Sequence, residues 1–306
     1  MAAGGKAALA RALTGIEAAA DRPDTAALLD AAIDAPRAHL IGLTGPPGVG
    51  KSTLTDALIR AFRARGRLVG VVAVDPTSRR TGGALLGDRT RITRDPGDDG
   101  VFIRSMAARD RLGGLATLTF PAAALMGAVM DVVLIETVGV GQSETEVADV
   151  ADTVVFCAQP GSGDALQFMK AGVIEIPDIV LVTKADLGQL ARQTASDMAG
   201  ALSLAGPEGR SVSVLSCSAL TGEGIDAAAD TLLGCAVPGQ AGLAQRRAER
   251  LRQARLWTDA RIRADFGQFG LSHAATMREH VPESGPFREA ARLSEKLRGL
   301  FVAGPS

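Results

Sequence analysis

The sequence predicts an α/β protein with a mostly parallel central sheet flanked by helices and with helical extensions at both ends. Short β-branched aliphatic segments alternate with helical segments through the middle of the chain, which is typical of a parallel sheet covered on both faces. A glycine-rich loop follows the first of these segments and leads directly into a helical segment. Both ends of the chain show helical periodicity without a strand pattern.

The elements follow one another in three parts. The spacing of aliphatic residues in 1–36 predicts two short helices, with a break between them near Pro23. Strands are predicted at 39–44, 67–75, 131–137, 152–159, 178–186 and 210–219. Helices are predicted in the tail at 241–263 and from about 283 to 300. We therefore expect an N-terminal helical extension (1–36), an α/β domain (37–238) and a C-terminal helical arm (239–306).

The composition excludes several classes of protein. The chain has 306 residues, 33 basic and 34 acidic, which gives a net charge of −1 and no electrostatic footprint for nucleic acid or an anionic membrane. Aromatic residues make up 3% and tyrosine is absent, which argues against a base-stacking surface. The three cysteines lack disulfide or metal-ligand spacing, and residues 118–130, the longest apolar segment, are too few to span a bilayer. We expect a cytoplasmic location.

The strongest motif is the loop from Gly45 to Thr53, GPPGVGKST, which matches GxxxxGK[ST] between a predicted strand and a predicted helix. In this P-loop motif the backbone amides face the phosphates of a nucleotide, Lys51 reaches the β/γ oxygens and the Ser52 hydroxyl ligates Mg²⁺. A glycine-rich turn that contains Lys-Ser by chance is the alternative, which the flanking elements disfavour. The candidate phosphate-binding residues are Gly45, Gly48, Val49, Gly50, Lys51, Ser52 and Thr53.

A second pair of loops predicts guanine recognition. Thr183-Lys184-Ala185-Asp186 ends a predicted strand, and the Asp186 carboxylate can accept from guanine N1–H and N2–H₂, a pair of donors that adenine lacks. The Lys184 stem can pack over the ring. Ser218-Ala219-Leu220 resembles a loop whose backbone amide contacts the guanine carbonyl. Most GTPases have Asn where Thr183 stands, so one contact to the purine is missing or replaced.

Acidic residues and glycines follow other strands at the same edge of the sheet. Asp75 and Glu136 end predicted strands and Asp88 lies in the loop GGALLGDRT, so Mg²⁺ and the attacking water are plausible targets. For any one of these residues a solvated loop carboxylate is the alternative. Gly139 could offer its amide to a γ-phosphate, in a loop that triphosphate would order.

Two further segments are predicted to be mobile. The segment 76–104 is longer than a simple connecting loop, which predicts a mobile region over the nucleotide. The residues 160–163, Pro-Gly-Ser-Gly, form a third flexible loop, and Lys170 follows on its helix. Any of these loops could contact a partner.

Six motifs together resemble the MeaB/ArgK family, the GTPases that chaperone adenosylcobalamin-dependent methylmalonyl-CoA mutase. In order along the chain they are TGPPGVGKST, VDPTSRRTGGALLGDRTR, FIRSMAARDRLGGLA, ETVGVGQSE, QPGSGDALQFMKAG and TKADL. The likeness covers about residues 40–224. It departs from the family at Thr183 and in RDRLGG, where relatives usually show RGHLGG.

The resemblance implies a P-loop GTPase domain of the signal-recognition/MinD/BioD class and a C-terminal arm that makes a homodimer. It implies GTP/GDP and Mg²⁺ as ligands, GTP-gated delivery or protection of the mutase cofactor, and the mutase as partner, with the cobalamin adenosyltransferase as a second candidate. By motif match, Lys51 and Ser52 hold phosphate and Mg²⁺, Asp186 reads guanine, and the metal and water are organised by Asp75, Asp88 and Glu136. The alternative function is a P-loop kinase of a basic-amino-acid transport system, for which the sequence shows no pocket for a phosphoryl acceptor.

Overall fold

The computed structural model describes residues 5–75, 97–107, 117–137, 143–161, 175–205, 212–278 and 285–302. Its helices are α1 (Gly5–Ala19), α2 (Pro23–Asp34), α3 (Lys51–Ala64), α4 (Thr119–Gly127), α5 (Ser143–Glu146), α6 (Gln189–Ala205), α7 (Ile225–Gly234), α8 (Gly239–Arg278) and α9 (Pro286–Val302). Its strands are β1 (His39–Thr44), β2 (Val69–Asp75), β3 (Val101–Ala107), β4 (Val132–Glu136), β5 (Thr153–Ala158), β6 (Ile179–Val182) and β7 (Ser213–Ser216).

The seven strands form one sheet in the order β3-β2-β4-β1-β5-β6-β7, and every strand pair in the described residues is parallel. Strand β1 lies at the centre, where Leu43 pairs with Glu136 on β4 and with Val155 on β5. The chain order reverses on the two sides of β1, and open α/β sheets bind ligands in the crevice at the carboxyl ends of strands beside such a point. The predicted fold class is confirmed.

Helices cover both faces of the sheet because alternate residues of the strands point to opposite sides. Leu40 of β1 packs in a buried cluster with residues of α1, α2 and α4. The next residue, Ile41, packs on the other side with residues of α3 and α7. The P-loop helix α3 is therefore fixed against one face, while the N-terminal helices cover the other.

Both predicted helical extensions are present, and they share this second face. The N-terminal hairpin contributes Leu13, and the C-terminal helices contribute Ala254 and Phe287, to the same apolar cluster as Phe120 of α4. Helix α8 contains a kink at Gly267, whose φ of 66° and ψ of −163° are not helical. The extensions and the sheet thus form one continuous core, and the boundaries at 36 and 238 stay a prediction.

Two buried carboxylates attach the C-terminal helices. Arg250 of α8 is 1% exposed, and its guanidinium donates to both Asp152 oxygens at 2.6 Å. Asp30 of α2 accepts from the backbone N–H of Phe287 at 2.8 Å and of Arg288 at 3.3 Å, and so caps the start of α9. Among the described residues, no helix has the length and apolar character that crossing a membrane requires.

Strand β3 corrects the sequence prediction. The segment 76–104 was expected to be one long mobile region, but Val101–Arg104 belongs to β3 and pairs with β2. The preceding turn is built on Asp98, which accepts the Gly100 N–H at 2.8 Å. Residues 76–96 lie outside the described part of the chain.

Candidate functional site

The P-loop passes close to strand β5 at its first glycine. Gly45 has a φ of +130°, and a Cβ placed on it would lie 2.3 Å from the carbonyl oxygen of Cys157. A side chain at this position would clash with backbone, so the loop requires glycine to reach this course. Burial raises the pKa of the Cys157 thiol to about 12, although the nearby Lys51 charge opposes this effect. The thiol therefore stays protonated and unreactive beside the P-loop.

Lys51 lies inside the loop that it belongs to. Its ammonium donates to the carbonyl oxygens of Gly45 at 2.7 Å and Pro46 at 3.0 Å, and the residue is 7% exposed. Helix α3 begins at this residue, and the first N–H groups of a helix make no hydrogen bond within the helix. A positive charge and a helix N-terminus together make an anion site of the kind that binds nucleotide phosphates.

Glu136 is bound by two hydroxyls of α3. Ser52 Oγ donates to Glu136 Oε1 at 2.6 Å, and Thr55 Oγ1 donates to Oε2 at 3.1 Å. Glu136 is 6% exposed, and its backbone ends β4 beside β1. Because the Ser52 proton points to the carboxylate, the lone pairs of the hydroxyl oxygen remain for a metal ion. This hard-oxygen donor set suits Mg²⁺.

The remaining predicted metal ligands are only partly described. Asp75 ends β2, where its backbone pairs with Ala107, and its side chain lies outside the described residues. Asp88 and Gly139 also lie outside them, as do RDRLGG, residues 162–170 and Lys170. Within the described part of the chain, no three His, Cys, Asp or Glu side chains are grouped to share a metal ion.

A cavity of about 290 Å³ lies beside the P-loop at the ends of β6 and β7. It is lined by Val49, Gly50, Thr53, Leu54, Thr183, Lys184, Asp186, Cys217, Ser218, Ala219 and Leu220. The structure thus brings together the predicted base loops and part of the predicted phosphate loop. Leu220 is 84% exposed at its edge.

Asp186 is oriented by Ser218. The buried Ser218 hydroxyl donates to Asp186 Oδ1 at 2.5 Å, which leaves the carboxylate free to accept further hydrogen bonds. The backbone N–H of Ser218 donates to Glu223 O at 2.8 Å. Ser218 therefore acts through its side chain, and a base contact by the amide of this loop has to come from a later residue.

Thr183 faces the P-loop. Its hydroxyl oxygen lies 2.8 Å from Val49 O and 3.1 Å from Ala158 O, so its one proton is shared between the two carbonyls, and the residue is 5% exposed. A threonine hydroxyl therefore joins the ends of β5 and β6 to the phosphate loop.

Lys184 makes a second link between the two loops. Its ammonium donates to Gly48 O at 3.2 Å and to Gln159 Oε1 at 2.7 Å. Its φ of 54° is in the left-handed region, which is uncommon for a residue other than glycine and often marks a functional site. The sequence did not single out Thr55 or Gln159, although Thr55 stands three residues after Ser52, the spacing that shares a helix face.

The family model "Methylmalonyl Co-A mutase-associated GTPase MeaB" matches residues 9–266. A relative in Mycobacterium tuberculosis with the name "Probable GTPase" is 43% identical over 239 residues, 75% of this chain and 70% of that protein. A relative in Pyrococcus horikoshii is 57% identical over 150 residues, 49% of this chain and 47% of that protein. The mouse protein "Methylmalonic aciduria type A homolog, mitochondrial" is 41% identical over 203 residues, 64% of this chain and 49% of that protein. The match thus spans about half the length of the Pyrococcus and mouse relatives.

Two solved structures are also similar. The crystal structure titled "LAO/AO transport system kinase" superposes with a TM-score of 0.59 at 27% identity, over 96% of this chain and 93% of that chain. The hydrogenase maturation factor HypB from Archaeoglobus fulgidus gives a TM-score of 0.51 at 17% identity, over 68% of this chain and 96% of that chain. The second likeness concerns the fold alone.

Proposed function

We propose that this chain, which belongs to the MeaB family of methylmalonyl-CoA mutase-associated GTPases, hydrolyses GTP to GDP and phosphate in order to regulate an adenosylcobalamin-dependent acyl-CoA mutase. The observation that carries the proposal is the direct connection between the base cavity and the phosphate loop. Thr183 and Lys184, from the loop that contains Asp186, both donate to carbonyls of the P-loop. The loop that would recognise the base is therefore joined by direct hydrogen bonds to the loop that would bind the phosphates.

Guanine selectivity rests on Asp186. Its carboxylate lines the cavity and is oriented by Ser218, so it can accept from guanine N1–H and N2–H₂ together. Adenine has no matching pair of donors, and binding it would desolvate the carboxylate without supplying the two hydrogen bonds that guanine offers, which is costly. The Lys184 stem, held across the loop, supplies a flat apolar contact for the ring.

The phosphates are bound by Lys51 and the start of α3. When nucleotide binds, the Lys51 ammonium donates to β/γ-phosphate oxygens instead of its two carbonyl acceptors. The Ser52 hydroxyl still donates to Glu136, and its lone pairs face the metal position. Mg²⁺ held there would neutralise charge on the β- and γ-phosphates. Asp75 and Asp88 keep the metal and water roles that the resemblance implies, and Gly139 keeps the γ-phosphate contact predicted from its place in the loop after β4.

The proposed partner is a methylmalonyl-CoA mutase or a related acyl-CoA mutase. The description of the family model and the name of the mouse relative support this choice. The GTPase would gate cofactor delivery and protect the mutase from inactivation, with the cobalamin adenosyltransferase as a second partner. We propose that it works as a homodimer in the cytoplasm and that hydrolysis is slow until the mutase orders the loops around the nucleotide, since groups ordered or supplied by a partner can accelerate hydrolysis about 10³- to 10⁵-fold.

Single-turnover GTP hydrolysis with and without a purified B12-dependent mutase tests this function. We expect GTP to be preferred over ATP, a slow rate for the chain alone and a clear acceleration with the mutase. A free rate that is already maximal, or no response to any such mutase, would refute the regulatory role. Transfer of the γ-phosphate to a protein instead of water would favour the transport-kinase alternative, to which the similar structure titled "LAO/AO transport system kinase" points.

A further inference from the structure

Thr55 differs from other threonines in the helices of this chain. Thr14, Thr231 and Thr258 each donate their hydroxyl to the carbonyl four residues earlier in the same helix, which is the usual habit of helical threonine. Thr55 is fully buried in α3, and it donates across to Glu136 Oε2 on β4. Its hydroxyl therefore binds a residue of the candidate site and not a carbonyl of its own helix.

The two hydroxyls of α3 divide the Glu136 carboxylate between them. Ser52 contacts one oxygen at 2.6 Å, and Thr55 contacts the other at 3.1 Å. The terminal torsion of a glutamate is broad and soft, so a carboxylate that loses one of its hydrogen bonds turns more easily. A second, charge-assisted hydrogen bond from a rigid helix position restricts that rotation.

We propose that Thr55 is a positioning residue for the metal-binding hydroxyl: it holds the Glu136 carboxylate so that Oε1 stays on the Ser52 proton and the Ser52 lone pairs stay directed at Mg²⁺. The inference rests on the proposed GTPase function, because it concerns the same phosphate site. It adds a residue beyond the GxxxxGKS motif. Thr55 itself touches neither nucleotide nor metal in this account.

The loss of the Thr55 hydroxyl has a specific consequence. Without it, Glu136 Oε2 sits in a nearly closed environment with one donor fewer, and the carboxylate turns to share the Ser52 proton between its oxygens. The serine oxygen is then less well directed at the ion, whereas the contacts of Lys51 and the backbone amides with the phosphates do not change. The defect should therefore affect the Mg²⁺-dependent part of nucleotide binding.

The test uses Thr55→Val and Thr55→Ala, which remove the hydroxyl with and without conserving volume, and Thr55→Ser, which keeps it. Affinity for a fluorescent GTP analogue is measured in EDTA and across a Mg²⁺ titration, together with thermal unfolding. We expect Val and Ala to raise the half-saturating Mg²⁺ concentration about tenfold, since a hydrogen bond to a charged group contributes about that factor or more. Affinity in EDTA should stay within about twofold of wild type, and Ser should restore the Mg²⁺ response.

Thr258→Val is the matched control, because it removes a buried helical hydroxyl far along the chain in α8. We expect it to leave the Mg²⁺ titration unchanged. A Val or Ala variant with a wild-type Mg²⁺ response, or with an equal loss of affinity in EDTA, would overturn the role of Thr55. If Val does not fold, the comparison of Ala with Ser decides the question. Failure of wild type to bind GTP with Mg²⁺ would instead refute the proposed function.

Discussion

Replacing Arg250 by Met should destabilise the fold severely, because the substitution leaves a buried carboxylate without its counter-charge. Burial alone would raise the pKa of Asp152, but the hydrogen bonds and charge of Arg250, with smaller effects of His39 and the Leu40 N–H, hold that pKa below its ordinary value. Asp152 also accepts the Leu40 N–H at 2.8 Å and so bonds to the central strand. Removing one partner of a buried ion pair typically costs about 3–5 kcal/mol.

Arg247→Met is the matched control on the same helix. Arg247 pairs with Asp34 at 2.7 Å, but both side chains are more than half exposed. Exposed pairs contribute about 0–1 kcal/mol, so the free energy of unfolding should barely change. The two variants replace the same type of residue and differ in the burial of the ion pair that is lost.

Urea unfolding followed by circular dichroism measures the difference. With a slope of about 3 kcal/mol/M, the Arg250→Met midpoint should fall by about 1 M or more. Adding Asp152→Asn to Arg250→Met should recover part of the loss, because it removes the unpaired charge. A loss below about 1 kcal/mol for Arg250→Met, or strictly additive effects in the double variant, would contradict this reasoning.

Three further predictions concern the site and the start of β1. Lys51→Ala should weaken GTP binding about 100-fold or more in calorimetry, because two charge-assisted contacts to phosphate are lost; unchanged affinity would refute the P-loop assignment. Asp186→Asn should weaken GTP and admit xanthosine triphosphate in a competition assay, because an amide can donate to the C2 carbonyl of xanthine; a retained GTP preference would contradict the assigned role. Burial lowers the pKa of His39, opposed by Asp152 and assisted by Arg250, so the folded state binds this proton less tightly than the unfolded chain. The free energy of unfolding should therefore fall as the pH drops below about 6.5, and His39→Gln should reduce that dependence when unfolding is compared at about pH 7.5 and about pH 5.5.

Local patterns predicted most of the fold and the location of the site. The P-loop, the parallel strands and both helical ends follow from periodicity and from motifs with a fixed local geometry. Strand β3 was missed because its pattern is interrupted by Arg104 and Ser105. The charge of Arg104 is matched by Glu17 of α1, 87 residues away in sequence, at 3.0 Å from Nε. A contact of that range leaves no local signal.

The hydrogen-bond partners of Thr183 could not be predicted from the TKAD motif either. The comparison with Asn predicts that one contact to the purine is missing or replaced, and it gives no sign of the hydroxyl contacts that link the P-loop to two strand ends. Thr55 is the same kind of case, because its acceptor Glu136 lies 81 residues away. The identity of a polar residue is visible in the sequence, but its partner is decided by the packing of distant elements.

The shared core of the two chain ends has a consequence for protein synthesis. Leu13 and Phe287 belong to one apolar cluster, and Phe287 stacks on Phe120 with 6.0 Å between the ring centroids. At about 5–20 residues per second, the ribosome makes Phe287 roughly 14–55 s after Leu13. Until α9 has been made, the apolar side chains of α1, α2 and α4 cannot pack against it. The nascent chain then exposes apolar surface of the kind that holding chaperones bind. This layer of the fold closes only after translation has passed residue 287.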